Sequence, residues 1–182
     1  MRRRAWFVVA AAVALSACGS DAGPGTVHLY DRAPVPAVPD RTMAIDVGVV
    51  NGNAITGRLP DGVYWALPTA DNDAEHIGFD VSQALFGPTC SSQLGADECP
   101  NDYGVVDDPH GTITVAATDL EVVSVVSEDQ QNYAVDGPEL AALAGGKAPS
   151  ATAPEGFAYV PFPFLLTVSN GTVTEARQIW VP

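Results

Sequence analysis

The stretch "NDYGVVDDPHG" gathers Asp102, Asp107, Asp108 and His110 within one short run. An imidazole beside carboxylates is the composition of acid–base chemistry, because histidine titrates near neutrality and an acid can orient it. The same set can ligate a divalent metal. Against this stands turn chemistry, since Asp-Pro and His-Gly are ordinary turn dipeptides. A second acidic group, "DNDAE", places Asp71, Asp73 and Glu75 in the opening rhythm of a calcium loop. An EF-hand then requires Gly at position six and Glu at position twelve. His76 and Ser82 stand there instead, so the stretch reads as a solvated turn and no metal site is expected. A third feature, "FAYVPFPF", carries Tyr159, Phe162 and Phe164 between prolines that do not fit a central strand. These aromatics either line a groove for an apolar ligand or pack as a bulged edge.

The common catalytic signatures are missing. There is no G-x-S-x-G, H-E-x-x-H, P-loop or G-x-G-x-x-G, so no cofactor is expected. The formal net charge is −14, which repels phosphate backbones and excludes nucleic acid as a partner.

The cysteines give an address. "MRRR" is a positive leader, "AWFVVAAAVAL" is an apolar run too short to span a bilayer, and Leu15-Ser16-Ala17-Cys18 follows directly. This order resembles a bacterial lipobox, in which Cys18 is lipidated and becomes the first residue of the mature chain. Removing residues 1–17 removes three arginines and no acid, leaving five basic residues against 22 acidic ones, a formal −17. An acyl anchor overcomes that repulsion from a membrane without a basic patch. Cys90 and Cys99 then remain as an even pair, expected as a disulfide outside the cytoplasm.

The elements that position these groups are short. Residues 18–41, rich in Pro and Gly, read as a flexible tether, and residues 42–182 as one β-rich domain; His28 falls in the tether and is expected to be inert. Asn51-Gly52 and Asn170-Gly171 each predict a hairpin turn, because both positions must take positive φ. "VSQALFG" predicts a short helix with Asp80 as N-cap, Gln83 in the capping box and Gly87 at its end. "DGPELAALAGG" predicts a second helix, capped by Asp136 or Gly137 and ended by Gly145. "PNDYGVVDDPHG" is expected to be irregular, and "TITVAATDLEVVSVV" to form two strands or one bent strand. The last strand, Val173 to Trp180, alternates without a clean apolar face. The sum is a mainly β (α+β) fold: an antiparallel sheet or open barrel with two short helices.

The set "DGVYWALP", "IGFDVSQALFG", "PNDYGVV", "TITVAATDLEVV" and "FLLTVSNGTVTEARQIWVP" resembles a group of actinobacterial lipoproteins and secreted proteins of unknown function. The resemblance covers residues 60–182. It implies an extracytoplasmic location and a shared fold, and carries over no catalytic residue; the Cys90–Cys99 pair departs from it.

The sequence therefore describes a lipid-anchored envelope protein on the extracytoplasmic face of a membrane. It reads first as a non-catalytic binding or scaffolding module for an envelope protein, glycan or lipid. Two alternatives stay open: a metal-dependent or acid–base hydrolase on the Asp102–His110 loop, and a carrier of a small apolar ligand or lipid.

Overall fold

The computed structural model describes residues 28–70 and 72–181. Over those residues the chain is mainly β, with one mixed, open sheet of nine strands and two α-helices. The strands are β1 (Val50–Asn51), β2 (Ala54–Ile55), β3 (Gly62–Pro68), β4 (His76–Phe86), β5 (Tyr103–Ala116), β6 (Val122–Val126), β7 (Asn132–Val135), β8 (Phe164–Ser169) and β9 (Thr172–Gln178). Helix α1 (Gly87–Leu94) lies between β4 and β5, and α2 (Gly137–Ala144) follows β7. The sheet order is β1-β2-β5-β4-β3-β8-β9-β6-β7, antiparallel except where β2 meets β5 and β6 meets β9. The leader and Cys18 lie outside the described residues.

Both faces of the central strands are buried. Tyr64, Leu166, Ala176 and Val123 are cross-strand partners on one face. With Ile77, Phe79, Val81 and Phe164 they form the main core, closed by Leu140, Ala141 and Leu143 of α2. Phe79 and Phe164 meet edge to face at 5.7 Å, an arrangement that aromatic quadrupoles favour. Trp65, Ala84, Leu165 and Ile179 form a smaller cluster on the opposite, outer face.

Two local predictions hold. Asn170 and Gly171 both take positive φ (53° and 72°) and join β8 to β9. Helix α2 starts at the Asp136 cap, whose carboxylate accepts from the Glu139 N–H at 2.8 Å. It ends at Ala144 with Gly145 as the expected C-cap, and beyond it Gly146 takes φ 75° and the Lys147 N–H reaches back to the Ala142 carbonyl. Gly137 is required by contact as well as by position: a Cβ there would lie 1.8 Å from the Ala117 carbonyl oxygen.

Other expectations are corrected. The helix predicted from Asp80 is strand; His76–Phe86 is β4, and the helix begins only at Gly87, with Pro88 in its first turn. Ile77, Phe79 and Val81 face the core between β3 and β5, and that burial outweighs the local capping signal. "YGVVDDPHG" is strand as well, interrupted only by a bulge. At the first hairpin the loop residues are Gly52 and Asn53, with Gly52 alone at positive φ, and the strands are only two residues long. The missing apolar face of the last strand has its cause in a β8–β9 register shift at Thr167/Val168. That shift puts Val173, Ala176 and Gln178 on the buried side together.

The tether expected over 18–41 does not include residues 28–41. The Tyr30 N–H donates to the Ala134 carbonyl, the Ala134 N–H to Asp31 and the Ala33 N–H to Asn132. Residues 30–33 thereby cover the open edge of β7, which would otherwise offer unpaired backbone groups. Tyr30 packs into the main core against Phe157 and Tyr133, at 4.8 and 6.5 Å between ring centres. The chain then crosses the outer face as a Pro-rich strap, with Pro36 buried, and rejoins the sheet where the Thr42 N–H bonds the Ala84 carbonyl.

Cys90 on α1 and Cys99 form a disulfide, both sulfurs buried beside Leu85. Gly104 makes room for it; a Cβ there would sit 2.8 Å from the Cys90 sulfur.

Candidate functional site

The Asp/His group lies at a break in the β4–β5 ladder. Val81 pairs with Gly111 and Gln83 with Val106, so Ser82 alone faces the four residues Asp107, Asp108, Pro109 and His110. The Asp108–Pro109 peptide bond is cis, the arrangement of a type VI turn running from Asp107 to His110. His110 Nδ1 closes the turn, 2.6 Å from the Asp107 carbonyl oxygen. A carbonyl only accepts, so Nδ1 carries the proton and Nε2 is the basic nitrogen of the neutral ring. The Asp107 carboxylate is 3.9 Å from Nδ1 and is almost wholly in solvent.

Asp80 joins this group through sheet register. It pairs with Thr112 on β5 and Leu67 on β3 and lies within electrostatic reach of His110. One Asp80 carboxylate oxygen is buried without a hydrogen-bond partner, as is the indole N–H of Trp65, which sits opposite Ser82 on the same face. The hydrogen bond to the Asp107 carbonyl raises the His110 pKa above the ordinary histidine value, and the charges of Asp80, Asp107 and Asp108 add to the shift. Sequence reasoning assigned Asp80 to a helix cap and passed over Trp65; only the pairing of distant strands brings them here.

Asp102 does not belong to this group. It ends the turn after Cys99 with φ 58°, and β5 from Tyr103 to Val106 separates it from the bulge. At about 3.3 Å per strand residue that is roughly 15 Å. The remaining acids and the imidazole form an exposed ridge with one half-buried carboxylate at its foot. Such a ridge binds protons and cationic groups weakly, and its geometry places no buried nucleophile beside a base.

Asp71 lies outside the described residues. Asp73 accepts from the N–H groups of Glu75 and His76, both at 2.7 Å, and its acid is held below the ordinary range by those two bonds. Asn72 accepts from the Gly78 N–H in the same loop. Asp73 and Glu75 thus shape the β3–β4 connection. Among the described residues no three His, Cys, Asp or Glu side chains converge as a metal site.

In the aromatic segment, Phe164 is fully buried in the main core. Tyr159 bridges to Ser127, and burial pushes its hydroxyl above the usual tyrosine range. The segment is fixed from beneath by Gln178, itself fully buried. Its Nε2 donates to the Val160 and Phe162 carbonyls at 2.7 and 2.9 Å, and its Oε1 accepts from the Val126 N–H at 2.6 Å. Gln178 was predicted only as one position of an ambiguous strand.

Three concavities lie elsewhere. One, of about 220 Å³, opens at an end of the curled sheet; Leu59, Ile113, Val115, Val168 and Val173 line it, and Arg58 and Asp119 stand on its rim. Residues of β5 and of the β8–β9 hairpin both line it although β4 and β3 separate them in the sheet. The other two lie beneath and beside the strap.

Among the described residues no helix is long and apolar enough to cross a membrane. No family model, curated protein or solved structure matches the chain, so function must be argued from its own residues.

Proposed function

We propose that the protein is a lipid-anchored extracytoplasmic binding module, held to the outer face of a cell membrane through Cys18. The buried Cys90–Cys99 disulfide carries this reading. Cystines persist in oxidising compartments and are rare in the cytosol. Pairing those two cysteines leaves Cys18 as the single remaining thiol, at a leader junction suited to lipidation. The binding half of the reading is supported by the cavity at the sheet's end, whose aliphatic side chains stand beside Arg58, Thr114, Asp119 and Thr172 and suit a small ligand with both apolar and polar parts.

Palmitate labelling with membrane fractionation tests the address. The wild-type chain is expected to take up label and sediment with membranes; Cys18→Ala is expected to take up no label and to be either released from membranes or left unprocessed with its leader. A normally processed, membrane-bound Cys18→Ala chain refutes it. For the binding half, native mass spectrometry should show a small adduct that Ile113→Trp, which fills the cavity, no longer carries. Adduct-free wild-type protein counts against it.

A further inference from the structure

We infer that the strap side of the outer face, where Val35 and Val38 stand beside Trp180, seats directly on the surface of the bilayer to which Cys18 tethers the chain. The inference rests on the proposed lipid anchor.

Exposure is the first observation. Val35, Val38 and Trp180 are 78%, 44% and 43% exposed and stand together over Pro36 and Ile179. A tryptophan ring with one polar edge, flanked by aliphatics, is the side-chain set that partitions to the headgroup boundary.

Charge is the second. The mature chain carries five basic residues against 22 acidic ones, and a surface that acidic is repelled by anionic lipid. The strap is an exception. Asp31 is balanced by Arg32 and Asp40 by Arg41. Beneath the strap Arg177 pairs with Glu175 at 3.1 Å, and the nearby polar groups, Gln130 and Asn132, are neutral. Asp129, next to Gln130, lies 3.5 Å from the Tyr133 hydroxyl. Arg32, Arg41 and Arg177 are three of the five mature cations, so the strap and the strand beneath it carry only one acid in excess of their cations in a strongly acidic domain.

Reach is the third. Nine residues lie between Cys18 and His28, where the described chain begins. The distance from Cys18 to His28 is therefore at most about 35 Å. Val35 follows seven residues later along a strap fixed to the sheet. That length brings this face within reach of the lipid.

The test uses the mature lipoprotein in vesicles of phosphatidylethanolamine and phosphatidylglycerol with brominated acyl chains. Of the three tryptophans, Trp6 falls in the leader and Trp65 is buried, so wild type minus Trp180→Phe isolates Trp180, and Trp65 reports the fold. With the ring at the acyl boundary, the Trp180 signal is expected to be blue-shifted and quenched about twofold by bromine. In Val35→Ser/Val38→Ser it should regain its intensity while the chain stays with the vesicles. A lipidated chain whose Trp180 is untouched by bromine overturns the seat alone. A blue shift without quenching, dependent on protein concentration, overturns it in favour of a second copy on the patch. A chain that carries no lipid by mass overturns the anchor and, with it, the reach on which the seat depends.

Discussion

Replacing Gln178 with Leu tests whether one buried amide holds the aromatic segment to the sheet. The side chain is fully buried on β9 and satisfies three backbone groups at once: the Val126 N–H and the Val160 and Phe162 carbonyls. Leucine has similar bulk, so the cavity contribution is small and the loss comes from stranded polar groups. A buried N–H left without a partner costs about 1–3 kcal/mol. The two carbonyls are only partly buried and lose about 0.5–1.5 kcal/mol each. The expected destabilisation is therefore about 2–6 kcal/mol, a large share of the 5–15 kcal/mol typical of a domain. Equilibrium urea unfolding of the oxidised chain, followed by circular dichroism, reads it as a fall in midpoint at unchanged slope. Gln178→Glu separates the components: it keeps an acceptor for Val126, removes both donors and adds a buried charge, so it should be at least as damaging. A Gln178→Leu loss below about 1 kcal/mol would show that water or a shifted backbone satisfies these groups, and the account of the segment as sealed would fail.

Three further outcomes follow from the geometry. Tyr30→Ala removes a ring packed on Phe157 and Tyr133 and a hydroxyl bonded to Glu139; thermal unfolding should show a loss of about 3 kcal/mol or more, whereas a loose tether would show none. Cys90→Ser/Cys99→Ser opens a short closed loop and should lower stability by about 2–3 kcal/mol, readable by comparing urea midpoints with those of the oxidised chain. His110 should titrate above an ordinary histidine in an NMR pH series. A raised folded pKa stabilises the protonated form, so this contribution is fully present below the unfolded value of about 6.5 and is lost as pH rises through the folded value. Because the Asp107 backbone carbonyl is the leading cause, Asp107→Asn should keep the midpoint raised, and Asp80→Asn should lower it only in part. A wild-type midpoint at or below the ordinary value contradicts the turn geometry.

What the sequence made legible was local. Asn170-Gly171 and Asp136-Gly137-Pro138 state their own geometry, because φ preference and capping act within four residues. Cys90 and Cys99 are legible by parity. β4 is not, because Asp80 and Gln83 imitate a capping box, and the strand is imposed by partners far away in the chain. The Pro-rich strap has no hydrophobic period, so nothing local shows that Tyr30 belongs to a core completed by Tyr133 and Phe157 more than a hundred residues later. The candidate site divides along the same line. Asp107 and His110 meet inside one tight turn and could be paired from sequence. Asp80 and Trp65 enter only through β3–β4–β5 register, and Asp102, close in sequence, is carried away by an extended strand.

That division bears on function. A hydrolytic reading needs Asp102, Asp107, Asp108 and His110 to converge, and strand β5 carries Asp102 away from the other three while the turn keeps Asp107 in water. The imidazole points its protonated nitrogen at its own backbone, a bond that fixes the turn whether or not a substrate exists. The outer face has a different logic. Its buried cluster under Trp65, Leu165 and Ile179 would lie open if the N-terminal segment were free. The strap covers it with residues that then expose Val35 and Val38 in turn. A chain that needed only to hide its sheet would place polar residues on the strap's outer side. The valines, set beside Trp180, are explained if that side meets a second apolar phase, which on the proposed anchor would be the membrane.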